Sequence, residues 1–159
     1  YISTPKNGNV AYKITPVGNP DLPAYSGVVS NSIPVKQSVL DLDGNVDSDD
    51  NSQLHIPNFE LGNIYKNKGF IIEAEDVIYV SVRVRSSGPN KFHASALVSK
   101  GISALGTQFR IGGFVRDATN NFDLTFASIM ATEDATNVNI TLQNNTTISI
   151  ILNENESYI

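Results

Sequence analysis

Cysteine is absent from this chain of 159 residues, which excludes a disulfide framework and a thiolate metal site and leaves the redox compartment open. The only imidazoles are His55 and His93. No G-x-S-x-G nucleophile motif accompanies them, so a Ser-His-Asp arrangement has no local signature to stand on. Ser3-Thr4-Pro5-Lys6 matches S-x-x-K but lacks the companion Ser-Asp-Asn and Lys-Thr-Gly elements, and is read as chance. Basic charge is scarce as well. Of 16 acidic residues, Asp41, Asp43, Asp47, Asp49 and Asp50 fall in one segment without lysine or arginine, and the other 11 are balanced by 11 basic residues. No continuous basic surface is available for phosphate contacts, so nucleic acid is not expected as a partner. No run approaches the about 18 apolar residues that a spanning helix needs, and no basic-then-apolar leader opens the chain, so membrane insertion is not expected.

What the chain has is alternation. Across 77–85, Ile78, Val80, Val82 and Val84 fall on one face and Tyr79, Ser81, Arg83 and Arg85 on the other, the period of a half-buried antiparallel strand. Val138, Ile140 and Leu142 alternate with Asn137, Asn139 and Thr141. After Gln143-Asn144-Asn145, Ile148, Ile150 and Leu152 fall on one face, which predicts a hairpin because asparagine tolerates the positive φ of tight turns. Further strands are predicted at 9–15, 35–41, 69–74, 92–98, 107–115 and 122–131, with no sustained helical periodicity between them. Short strands with turn signals roughly every 8–12 residues point to an all-β, antiparallel β-sandwich. A propeller blade of about four strands also fits the spacing and is the less favoured architecture.

One segment is echoed. Tyr1-Ile2-Ser3-Thr4, four residues, then Asn9-Val10-Ala11-Tyr12-Lys13-Ile14 recurs as Ile129-Met130-Ala131-Thr132, four residues, then Asn137-Val138-Asn139-Ile140-Thr141-Leu142. Phe59 to Tyr65 can be laid over Leu152 to Tyr158. The offset is 128 at the threonines and 93 at the tyrosines, so the first copy carries 35 extra residues between Ile14 and Phe59. The expected organisation is a first β repeat at 1–88 with an Asp-rich insertion within 15–58, and a second at 89–159. On this reading the second copy stops unfinished, with about 20 to 30 residues to follow by analogy with the first and an unpaired sheet edge near Ile159.

The centre of the chain carries Gly69-Phe70-Ile71-Ile72, Val77-Ile78-Tyr79-Val80, Leu97-Val98-Ser99-Lys100-Gly101, Ala104-Leu105-Gly106-Thr107-Gln108-Phe109 and Met130-Ala131-Thr132-Glu133-Asp134-Ala135-Thr136-Asn137-Val138. In this order, over roughly residues 59 to 158, the chain resembles the IgGFc-binding-protein N-terminal-like domain. Forms of that domain occur in very large surface proteins of Bacteroidetes, exported by the type 9 secretion route and linked to gliding and adhesion. The resemblance implies an extracellular, non-enzymatic module at the bacterial cell surface, with further domains of the same polypeptide as neighbours. It transfers no catalytic residue. Ala104-Leu105-Gly106-Thr107 reads as a loop before a strand beginning at Gln108, and the Asp-rich insertion departs from the family pattern.

Two constellations remain as candidate sites. Asp41, Asp43, Asn45, Asp47, Asp49 and Asp50 offer the crowded oxygen ligands that calcium prefers. The spacing is not that of an EF-hand, since Gly44 stands fourth and no glutamate stands twelfth. The competing reading is a solvated acidic hairpin that turns at Gly44-Asn45 and keeps an edge soluble. Tyr79, Arg83 and Arg85 share a face and form a flat platform for acidic glycans or a partner protein. Its competing reading is a face that meets solvent or pairs with acids on a neighbouring strand. Glu73 and Glu75 share a strand face without a reason for a raised pKa and are read as a surface pair, not a glycosidase dyad. Four Asn-x-Ser/Thr triplets, at Asn139, Asn144, Asn145 and Asn155, are expected by chance in so Asn- and Thr-rich a chain. The expected function is adhesion by binding a polysaccharide or surface protein, the alternative a structural spacer in a stalk or filament.

Overall fold

The computed structural model describes residues 1–39, 53–56, 58–85, 94–112 and 127–159. These residues form an all-β fold without α-helix, in small antiparallel sheets. The strands are β1 (Ile2–Ser3), β2 (Asn9–Pro16), β3 (Tyr25–Ser30), β4 (Ile64–Tyr65), β5 (Phe70–Ala74), β6 (Tyr79–Arg85), β7 (Ala94–Ser99), β8 (Ile129–Met130), β9 (Thr136–Thr141), β10 (Thr147–Leu152) and β11 (Ser157–Tyr158). Short 3-10 turns lie at Asn58–Glu60 and Gly101–Ala104. Two compact units divide the chain: Tyr1–His55 with Lys68–Leu105, and Ile56–Asn67 with Gly106–Ile159.

The first unit holds two three-stranded sheets, ordered β3-β2-β5 and β1-β6-β7. Strand β2 is central because alternation gives it one fully apolar side: Val10, Tyr12 and Ile14 are buried while Asn9 and Lys13 face water. Its core partners are Val29 of β3 and Ile2 of β1, so a single cluster joins residues of both sheets, with Tyr25, Val35, Phe70, Ile72 and Ile78 packed around it. Each buried aliphatic side chain there contributes about 1.5–3 kcal/mol relative to exposure. Lys13 stands directly opposite Glu73 of β5 in register, so one acid of the Glu73 and Glu75 pair faces a surface lysine.

Strand β3 was not among the expected strands. It lies within 15–58 yet pairs with β2 over six residues, from Asn9↔Ser30 to Ile14↔Tyr25. Gly27 in its middle weakens any strand signal, and the partner across from it, Tyr12, supplies the missing bulk. Of the strand predicted at 35–41, Val35 alone pairs among the described residues 35–39, exchanging two 2.8 Å backbone hydrogen bonds with Ile2. Gln53 closes this part of the unit: fully buried, its Nε2 donates to the carbonyls of Val17 (2.8 Å) and Gly69 (2.7 Å), while its backbone carbonyl accepts from the Gly69 amide.

In the second unit β9 and β10 form the predicted hairpin, with Ile148↔Ile140 and Ile150↔Val138 sharing the inner face. Asn145 is left-handed (φ 64), its amide donates 2.9 Å to the Leu142 carbonyl, and the Leu142 amide donates 2.8 Å to the Thr146 carbonyl. That is the three-residue loop of a type I turn followed by a left-handed residue. Leu152 is wholly buried, and β11 runs back between β8 and β4. The Ser157↔Tyr65 and Tyr158↔Ile64 pairs join the two segments that the sequence echo superimposes, so they are hydrogen-bonded neighbours in one sheet. β11 is paired on both sides, so among the described residues the outer strands of this sheet are β4 and β8.

Both units share an order of pairing: a short strand, a hairpin, then a return to the short strand, by Val35 to Ile2 in one and by β11 to β8 in the other. The echo keeps phase along β2 and β9 but not before them. Ile2 is 2% exposed where the aligned Met130 is 42% exposed, and Thr4 is buried where Thr132 faces water. The predicted strand at 107–115 is not formed over the described residues 107–112, which find no partner strand; Phe109 packs locally against Gly106 and stays largely exposed. Of 122–131, only Ile129–Met130 among the described residues is strand.

Candidate binding face

The alternation of β6 places its side chains as the sequence predicts: Val80 is buried toward the core, while Tyr79 and Arg83 are exposed on the other side. Register adds what spacing along one strand cannot. Ser3 stands opposite Tyr79 and Ile2 opposite Val80, so Tyr1 falls opposite Ser81. Two 2.9 Å backbone hydrogen bonds join Tyr1 and Ser81, one in each direction. On the far side of β6, Val98 pairs with Ser81 and Ala96 with Arg83. One face of this sheet therefore gathers Tyr1, Ser3, Tyr79, Ser81, Arg83 and Val98.

Two aromatic rings stand open on that face, Tyr1 at 50% and Tyr79 at 57% exposure. The Arg83 guanidinium carbon lies 5.2 Å from the centroid of the Tyr1 ring, diagonally across the β1–β6 pair, a cation–π arrangement. Among the described residues no carboxylate forms an ion pair with Arg83. A shallow hollow of about 200 Å³ opens between the strands, lined by Tyr1, Ser3, Pro34, Tyr79, Ser81 and Val98 together with the edges of Ile2 and Val80. Its walls are mostly apolar, and Ser3 and Ser81 are among the lining residues. The surface offers ring faces, a planar cation and hydroxyls.

The other predicted residues stand elsewhere. Asp41, Asp43, Asn45, Asp47, Asp49 and Asp50 lie outside the described residues, as do His93 and the side chain of Arg85. His55 is exposed, and its carbonyl accepts from Lys68 Nζ at 3.0 Å. Lys6 of the S-x-x-K match is engaged by Asp76 at 3.2 Å; the Val77 amide and the Lys6 ammonium hold the Asp76 carboxyl below its usual range. Among the described residues no group of three or more histidine or acidic side chains is arranged to hold a metal. Tyr1 and Val98 were missed by sequence reasoning, since they reach the face only through pairing across the chain. Comparison with protein-family models, curated proteins and solved structures found no match.

Proposed function

We propose that the chain is an extracellular, non-catalytic adhesion module of a large secreted bacterial surface protein, built of sandwich-like β repeats and presented among other domains of the same polypeptide. Type 9 export and a link to gliding follow from the family resemblance. The shared core of the two sheets in the first unit supports the sandwich reading, and the common order of pairing in both units supports the repeats. Contact with a polysaccharide or surface protein is made by the Tyr1, Tyr79 and Arg83 face. One observation carries this assignment: two open tyrosine rings stand beside an arginine that no acid neutralises among the described residues. Exposed aromatic and arginine side chains are the groups that dominate recognition surfaces. Calcium, if taken by the Asp41–Asp50 carboxylates, stiffens that segment, because metal ligation couples to local folding.

The test is attachment. Beads coated with the 159-residue chain should adhere to bacterial or polysaccharide-coated surfaces above uncoated beads, whereas a spacer without its own ligand gives the same low count as uncoated beads.

A further inference from the structure

Among the described residues Arg83 is a cation with no counter-charge on its own face. The neighbouring positions there, Tyr1, Ser3, Tyr79, Ser81, Ala96 and Val98, include no acid, on a chain whose net charge is −5. Its guanidinium carbon lies 5.2 Å from the centroid of the Tyr1 ring, a contact that does not consume its N–H donors. Lys100 follows directly on Ser99, the partner of Val80, and puts a second exposed cation at the Tyr79 end of the sheet. From Tyr79 to Arg83 the strand spans roughly 13 Å, longer than one pyranose ring.

Resting on the adhesion reading above, we infer that this face binds an acidic polysaccharide, with a sugar carboxylate on Arg83 and a neighbouring sugar ring laid on Tyr79. A planar guanidinium matches a carboxylate in two parallel hydrogen bonds. Tyrosine faces cover the C–H side of a pyranose, and the hydroxyls of Ser3 and Ser81 meet its alcohols. A protein or peptide ligand is disfavoured by the same geometry: binding hot spots bury an anchor side chain in a packed pocket, and the hollow here is shallow and about 200 Å³.

The experiment is calorimetric titration of the whole chain with polygalacturonate oligomers, with the same oligomers as methyl esters, and with oligoglutamate. The acid form should bind about tenfold or more tightly than the ester, and the difference should shrink as salt rises. Arg83→Ala should abolish that preference, Arg83→Lys should retain part of it, and Tyr79→Ala should weaken acid and ester alike, each variant melting as the wild type does. Equal binding of acid and ester overturns the proposal. So does binding of oligoglutamate in preference to the sugar. If neither sugar binds but coated beads still attach, the acidic-sugar assignment falls and the adhesion reading stands; if beads do not attach either, both fall.

Discussion

The Tyr12 ring fills the space in which a side chain on Gly27 would begin. A Cβ built on Gly27 would lie 2.5 Å from the Tyr12 hydroxyl oxygen and 2.7 Å from Cζ, across the β2–β3 pair in which the two residues face each other. Tyr12 is buried there, with Gln37 Oε1 at 3.5 Å from its hydroxyl. Gly27→Ala should therefore force the ring off its seat and destabilise the first unit by about 1–3 kcal/mol, the usual cost of overpacking. Urea unfolding checks this. Combining it with Tyr12→Leu should cost less than the sum of the two single changes, as expected for residues in contact.

Gln53 ties a loop to the sheet through two carbonyls. Gly69 keeps a second donor, the Val17 amide at 3.1 Å, but the Val17 carbonyl depends on Gln53 Nε2. Gln53→Leu keeps the bulk and removes the donor, so it should cost about 1–3 kcal/mol, the penalty of a buried acceptor left unsatisfied. An unchanged urea midpoint would show that the loop is held by other contacts.

Acid should loosen the second unit through Glu156. The Asn153 amide, then the Lys66 ammonium at 3.1 Å, hold its carboxyl below the ordinary glutamate value. A carboxylate lowered on folding gives its full stabilisation above the unfolded value of about 4.3 and loses it as pH falls through the lower folded value. Glu156→Gln should thus be less stable than wild type at neutral pH, with the gap closing on acidification. A gap that is the same at neutral and acid pH would contradict this role. Asp76 titrates in the same direction and is common to both proteins, so it does not produce the difference.

Calcium should raise the thermal midpoint if the Asp-rich segment takes it. A ligand bound only to the native state adds about 2.7 kcal/mol at a hundredfold excess over its dissociation constant. The shift should vanish in the triple variant Asp41→Asn, Asp43→Asn, Asp47→Asn. Identical melts with calcium and with chelator would leave the acidic-hairpin reading.

Strands that state their own period were legible in the sequence, and those made by a distant partner were not. Alternation alone orients β6, and Asn144-Asn145 marks the β9–β10 turn down to its left-handed residue. Strand β3 was hidden because Gly27 carries no side chain to register in a pattern; its identity as a strand depends on Tyr12 opposite. Residues 107–112 show the converse, since apolar residues such as Phe109 and Ile111 make a strand only where a neighbour accepts their backbone bonds. The Ile64-Tyr65 and Ser157-Tyr158 likeness was visible, but local spacing does not distinguish a repeat from a pair of strands bonded together. The candidate binding face was half legible for the same reason. Tyr79 and Arg83 declare themselves along β6, whereas Tyr1 joins them through a pairing 80 residues away.

The most direct measurement is bead attachment by the wild-type chain against Tyr79→Ala/Arg83→Ala, both confirmed folded by matching thermal melts. A control substitution, Ile151→Ala, changes an exposed apolar side chain on β10 in the second unit. The account predicts that the double variant loses attachment by about tenfold or more, the usual weight of aromatic and arginine anchors, while the control attaches as wild type. Undiminished attachment by the double variant would contradict the assignment of binding to this face.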